Sequence, residues 1–453
     1  MTTPDTPALY RIALSVWCLI LVAAGVLGLT APQQAAVMRA VRAIVVNEDV
    51  PPHREAGPPL AVAAPEPLPA RQPAAGERLR GAILGAFEGS TAAHPAMAVA
   101  VEGLGHVVDV NGLSPMPPAS TQKIYTGAAA LMQLGGDTRF RTEIFRTGKV
   151  DEQGRLQGHI VLVGSGDPTL TKLQLQAQAL QIAASGVRFV QGHVYADEDR
   201  YDRARNVNGW KAEFVPFNSG SLSAFALDRN NWRTDAEYLS DPASGNIIWF
   251  HKALQDAGIE VAGAASVGPP NGKLTLIAAH ESDPMSVIVA NMLKSSDNFA
   301  AEMLMKEIGR KAGNPTTAGG TEAIAKMTEG FDVGRPHMVD GSGLSIENRQ
   351  TPWEQVAFLM KIEAAQGAAF RDSLAVSCDI VGTLRNRLCG TPGAGRIYAK
   401  SGSLTAVNTL SGYAITASGR RVWFSFLLSG VASPAEAKAA IDRALLAIAT
   451  FAE

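Results

Sequence analysis

Strand-forming segments stand at both ends of this chain and mirror one another, so the fold has to bring its two ends together. Residues 97–102 and 106–111 read as a hairpin turning at Gly103 and Gly105, and a helical run at 77–88 precedes them. Near the other end, 396–401, 409–416 and 421–428 read as three strands, with Ser418-Gly419 as the turn between the last two. An amphipathic helix follows at 434–451. The two halves predict one antiparallel sheet covered by both terminal helices. Behind the hairpin, Pro117-Pro118 ends the extended segment. Residues 120–134 then read as an Ala/Leu-rich helix closed by Gly135-Gly136.

What precedes residue 77 does not belong to this unit. Residues 12–38 carry no charge, and 12–31 form an apolar run long enough to cross a bilayer as a helix. Arg11 flanks it, and bulky Leu29 with Pro32 makes a poor cleavage site. Residues 1–48 are therefore expected to remain as an anchor in the inner membrane; removal as a signal segment is the alternative. Eight of the 26 prolines lie between Val50 and Gly76, so 49–76 reads as an extended tether. An anchor followed by a tether predicts a folded part working in the periplasm.

Composition narrows the rest. Hydrophobic residues at 46% against 18% charged fit a globular chain, and with a net charge of −2 nothing points to a nucleic-acid partner. The three cysteines form no CxxC pair, so no zinc site is expected. Cys18 sits in the apolar run. Cys378 and Cys389 lie close together, and an oxidising compartment predicts a disulfide between them. No H-E-x-x-H, G-x-S-x-G or strand-linked G-x-G-x-x-G occurs. A metal, a cofactor and an α/β-hydrolase elbow are therefore not expected.

Three short motifs carry chemistry. Ser120-Thr121-Gln122-Lys123 puts a hydroxyl and an amine on one helix face, where a neutral lysine could take the serine proton. Ser296-Asp297-Asn298 is a polar tripeptide between helical flanks; Ser296 could relay a proton and Asn298 could bind a substrate amide. Lys400-Ser401-Gly402-Ser403 lies on an expected strand, where Gly402 lets a substrate backbone approach closely. Each motif alone is weak. Together, in this order, they form the serine acyl-enzyme set of penicillin-binding proteins and β-lactamases.

The resemblance then becomes specific. PASTQK around Ser120, LKSSDN around Ser296, DGSGLS at 340–345 and YAKSGSL around Lys400 resemble the D-alanyl-D-alanine carboxypeptidase/endopeptidase family, the class C low-molecular-mass penicillin-binding proteins. GSGDPTLT at 164–171 resembles the same family outside the catalytic core. The resemblance implies that Ser120 attacks the carbonyl between two D-alanines of a peptidoglycan stem peptide, with Lys123 as base and Ser296 relaying the proton to the leaving amine. It implies that Asn298 holds the substrate, Lys400 tunes the site electrostatically and Ser401 binds the terminal carboxylate. The backbone N–H groups of Ser120 and Ser403 would form the oxyanion hole. It also implies inhibition by β-lactams. Two positions depart from the family: Ser401 stands for the usual threonine, and Ile346 for the usual arginine after DGSGLS. A β-lactamase or esterase on the same scaffold is one alternative, and a catalytically idle peptidoglycan-binding protein is another.

The implied fold is α/β, a β-lactamase/transpeptidase-like catalytic domain (77–139 and 283–453) with one inserted α/β domain (140–282). Residues 158–163, 189–195 and 274–279 read as strands of the insert, with a helix at 173–184. AFALDRNNW at 224–232 and the segment from Asp241 resemble the family on either side of a nested third domain. Only about eight residues separate them, too few for a domain.

Overall fold

The computed structural model describes residues 73–90, 92–231, 236–270 and 272–452. The apolar run 12–31, Cys18, most of the tether and residues 232–235 lie outside the described residues.

The central sheet has six strands in the order Ala375–Val376, Ile397–Leu404, Val407–Ile415, Arg421–Val431, Ala92–Val101, Gly105–Val110. Every neighbouring pair is antiparallel. The last long strand of the chain therefore lies against the first, with Val99 opposite Phe424. Alternation sorts side chains between two faces. Met97, Val99 and Val101 join one buried cluster with Phe424 and Phe426. Leu79 and Ile83 of the Pro73–Gly85 helix and Ile441, Leu445 and Ile448 of the Pro434–Thr450 helix complete that cluster. Ala98 and Ala100 point the other way, into a second cluster with Tyr125, Val289, Leu304, Phe358 and Trp423. Their small size lets the Pro352–Gln366 helix lie close to the sheet.

The sequence reading missed the two-residue strand Ala375–Val376, which is too short to show alternation. The first helix begins at Pro73, four residues earlier than expected, because proline is tolerated in a first turn. The expected helix 120–134 is three pieces. A 3-10 turn at Ala119–Gln122 runs into the α-helix Lys123–Ala129, and a π turn at Ala130–Leu134 ends at Gly135 with φ 93°. The apolar pattern does not distinguish the three pitches.

Residues 141–281 build a second, five-stranded sheet in the order Thr275–Glu281, Arg141–Arg146, Ile160–Val163, Val194–Asp197, Ala265–Val267. The first two pairings are antiparallel and the last two parallel. Helices Lys172–Ala184 and Pro242–Asp256 bury Leu175, Ile182, Ile247 and Phe250 in a core with the sheet's Ile160, Leu162 and Val194. The reading of 189–195 as one strand is corrected. Phe189–Val190 belongs to a separate three-stranded parallel ribbon, and Val194–Asp197 to the larger sheet. The chain crosses between sheets at Gly192, where a Cβ would lie 2.5 Å from the Gly158 carbonyl oxygen.

Cys378 and Cys389 are bonded. The loop between them carries Thr383, whose N–H donates to the Lys294 carbonyl at 3.1 Å. Its hydroxyl lies 2.9 Å from the Ser401 hydroxyl. Replacing both cysteines by alanine is expected to lower unfolding stability by roughly 2–3 kcal/mol through loop closure alone. Urea denaturation of the oxidised protein and the double variant measures this; equal midpoints would show that the loop is held by its hydrogen bonds instead.

Candidate active site

Ser120 stands in the 3-10 turn just after Ala119, which takes a left-handed φ of 48°. Side chains three apart nearly eclipse in a 3-10 turn, and Lys123 Nζ lies 3.0 Å from Ser120 Oγ. Lys123 is fully buried. Its amine has two other partners, Asn298 Oδ1 at 2.6 Å and the Ser342 carbonyl at 2.6 Å.

These partners decide what the amine can do. As an ammonium, Lys123 donates to all three. As a neutral amine it keeps two N–H donors and gains a lone pair. Asn298 Oδ1 and the Ser342 carbonyl can only accept, so they take the two N–H groups. The lone pair is left facing Ser120, the one partner with a proton to give. The orientation of the Asn298 amide is fixed independently, because its Nδ2 donates to the Asn218 carbonyl at 2.8 Å. Burial pulls the Lys123 pKa down to about 8, against the opposing pull of Asp340, Glu302 and Asp297.

The Ser342 carbonyl is held in place by a buried loop. Glu302 accepts the Gly341 N–H at 3.0 Å and the Ser342 N–H at 2.7 Å. Asp340 accepts from Gly343 N–H at 2.8 Å, Ser345 N–H at 2.7 Å and the Trp210 indole at 2.9 Å. Thr126 Oγ1 and Gln122 Nε2 donate to the Gly341 and Asp340 carbonyls at 2.7 and 2.9 Å. Gly343 sits at φ 83°, and a Cβ there would lie 1.9 Å from the Ala119 carbonyl oxygen. The loop thus packs directly on the turn that carries the serine. Burial, with the Asp340 charge beside it, pushes the Glu302 pKa up, and its N–H donors oppose that rise.

Ser296 and Asn298 do not share one helix. The chain breaks at Ser296, which takes φ 62°, between helices Met285–Ser295 and Asn298–Lys311. Asp297 caps the second helix by accepting the Ala300 N–H at 3.0 Å. Ser296 faces the cleft, but its hydroxyl is not among the three partners of Lys123. Asn298 reaches Lys123 directly, a contact that the reading of it as a substrate ligand did not include.

The strand Ile397–Leu404 forms the opposite wall. Lys400 is fully buried, and its amine donates to the Ser401 carbonyl at 2.6 Å. Burial, and then the Lys123 charge, depress its pKa strongly. Ser401 turns to the other side of the strand, toward Thr383. A Cβ on Gly402 would lie 2.7 Å from the Ser120 backbone nitrogen and 2.3 Å from Thr409 Oγ1. Glycine is thus required for the strand to reach the serine turn. Thr409 Oγ1 ties the two together by donating to the Pro118 carbonyl at 2.8 Å.

Ser120, Ser296, Asn298 and Ser403 open on one cleft of about 400 Å³. Lys211, Phe214, Asn218, Leu344, Ile346, Leu404 and Thr405 line the rest of it. Sequence reasoning missed Glu302, Asn218 and the Ser342 carbonyl. Among these, only DGSGLS carried a local signal: an acid followed by residues small enough to turn tightly around it. Among the described residues, no group of histidine, cysteine and carboxylate side chains could hold a metal ion.

A serine hydroxyl facing a buried amine, on a turn packed against an antiparallel sheet flanked by helices, is the arrangement expected of a serine acyl-enzyme hydrolase of the β-lactamase/transpeptidase-like type. Residues 88–248 and 232–450 match the D-Ala-D-Ala carboxypeptidase 3 (S13) family, and the chain belongs to that family of serine-type peptidases. It is 30% identical over 400 residues to a D-alanyl-D-alanine carboxypeptidase of Actinomadura sp. strain R39, covering 70% of this chain and 74% of that one. Its fold is similar to that of penicillin-binding protein 4 from Haemophilus influenzae, with a TM-score of 0.71, 21% identity, and coverage of 80% of this chain and 98% of that one. A predatory endopeptidase from Bdellovibrio bacteriovorus is more distant, at a TM-score of 0.53 and 20% identity over 77% of this chain and 90% of that one.

Proposed function

We propose that this enzyme hydrolyses the D-Ala-D-Ala bond of peptidoglycan stem peptides, and cross-links of the same chemistry, through an acyl-enzyme on Ser120. The three partners of the buried Lys123 amine, of which only Ser120 has a proton to give, are the observation that carries this reading. Lys123 takes the hydroxyl proton as Ser120 Oγ bonds to the carbonyl carbon. With substrate in the cleft, the proton passes to the leaving D-alanine amine as the peptide bond breaks, relayed by Ser296, which lines the cleft without touching Lys123 in the free enzyme. Water then cleaves the ester, releasing the shortened peptide and restoring the serine. The backbone N–H groups of Ser120 and Ser403 receive the developing oxyanion, supported by the close approach of Gly402 to the Ser120 nitrogen. Lys400 tunes the site electrostatically, Ser401 binds the terminal carboxylate by turning from its Thr383 partner, and Asn298, on the cleft wall, meets the substrate's amide. β-Lactams enter the same reaction and stop at the ester. We further propose that the enzyme works in the periplasm, held by residues 12–31; the uncharged run and the proline-rich tether support this.

The test is a synthetic stem pentapeptide ending in D-Ala-D-Ala. Stoichiometric D-alanine release, absent with a D-Ala-L-Ala end, is the expected result. Rapid turnover of benzylpenicillin without D-alanine release would replace this reading with a β-lactamase.

A further inference from the structure

Asp228, Arg229 and Asn230 take φ values of 48°, 57° and 50°, three successive left-handed residues with no glycine among them. Side chains disfavour that conformation, and it persists only where the surroundings impose it. Here they do. The Asp228 N–H donates to the Leu170 carbonyl at 2.9 Å, and the Asp228 carboxylate accepts the Lys172 N–H at 3.3 Å. Asn230 Oδ1 accepts the Leu227 N–H at 3.0 Å and Asn246 Nδ2 at 2.9 Å, while its Nδ2 donates to the Ser221 carbonyl at 2.9 Å. Gly220 passes so close that a Cβ would lie 1.9 Å from the Arg229 carbonyl oxygen. All of these partners come from the 140–282 segment.

The turn sends one side chain out of that segment. Arg229 Nε donates to Asp297 Oδ2, while Asp297 Oδ1 caps the helix that begins with Asn298. The Arg229 side chain is 52% exposed, so the ion pair itself contributes little to stability. Its position matters more. Asp297 directly precedes Asn298, whose Oδ1 accepts from the Lys123 amine at 2.6 Å, and it is one of three carboxylates, with Asp340 and Glu302, whose charge acts on Lys123, while the Lys123 charge acts on Lys400. The same 140–282 segment supplies the Asn218 carbonyl that orients Asn298.

We propose that Arg229 is a positioning residue for the general base: it holds Asp297 and offsets that carboxylate's negative charge beside Lys123. This rests on the reading of Lys123 as base. Removing the guanidinium leaves the Asp297 charge uncompensated, which favours the ammonium and withholds the lone pair from Ser120.

The test is the rate of Ser120 acylation by benzylpenicillin in the full chain, followed from acid to alkaline pH. Arg229→Ala is expected to move the inflection to higher pH by about half a unit, making acylation roughly threefold slower at neutral pH. Arg229→Lys restores it. Asp297→Asn keeps a capping oxygen but loses the charge, and moves the inflection to lower pH. An inflection unmoved by Arg229→Ala, or an equal loss of rate at every pH, overturns the proposal alone. A wild-type profile with no inflection removes the base reading and this proposal with it.

Discussion

Ser120→Ala leaves no covalent adduct with benzylpenicillin and reduces D-alanine release by roughly 10⁴-fold or more. Other hydroxyls open on the cleft, at Ser296, Ser403 and Thr405, but of these serines and threonines only Ser120 lies against the Lys123 amine. A hydroxyl without a base at hydrogen-bond distance is a weak nucleophile at neutral pH. The substitution removes no structural contact beyond that one hydrogen bond, so the variant should fold and melt as the parent does. Intact-protein mass spectrometry after incubation with penicillin reads the result directly. An adduct of the same mass on the alanine variant would move the nucleophile elsewhere and overturn the mechanism.

Lys123→Ala slows acylation by a factor of about 10² to 10⁴, the usual contribution of a positioned base. The fold should survive, because the substitution also removes a buried amine whose charged form is costly there. The pH dependence gives a second signature with a definite sign. Only the neutral amine can accept the serine proton. With its pKa pulled down to about 8, about a tenth of Lys123 is neutral at pH 7, against less than roughly one part in a thousand for an unperturbed lysine. Wild-type acylation therefore rises with pH through about 8 and levels off above it. The alanine variant lacks that rise. Stopped-flow measurement of acylation over this range checks both points, and a variant retaining the inflection would assign it to another group.

Much of the catalytic sheet was legible because its strands are apolar runs bounded by turn glycines. Residues 97–101 and 422–426 are buried on both faces, and Gly103, Gly105 and Gly419 mark where the chain turns. The Ser120–Lys123 pairing was legible because both residues lie within one turn. Glu302 was not, because nothing in its own helix marks it. Its neighbours Met303, Leu304 and Met305 are buried core, and its function arises only when the loop at 341–342, about forty residues away, folds onto it. Asn218 was invisible for a stronger reason: it acts through its backbone carbonyl, which every residue possesses. The split of 189–195 between two sheets was hidden because a two-residue and a four-residue strand around Gly192 have the same apolar signature as one longer strand.

The pairing of the Ala92–Val101 strand with Arg421–Val431 bears on how the enzyme comes into being. During synthesis the first of these strands emerges more than three hundred residues before its neighbour in the sheet. Until then its hydrogen-bonding edge is open, and Ser120 and Lys123 have no Gly402 strand to face. Contacts of such long range are formed late and slowly. Nascent chains stalled before about residue 430 are therefore unreactive toward penicillin, however much of the 140–282 segment has already folded. The hydrolase comes into existence only once the Arg421–Val431 strand has been made, so a shorter nascent copy has no assembled site with which to attack a substrate.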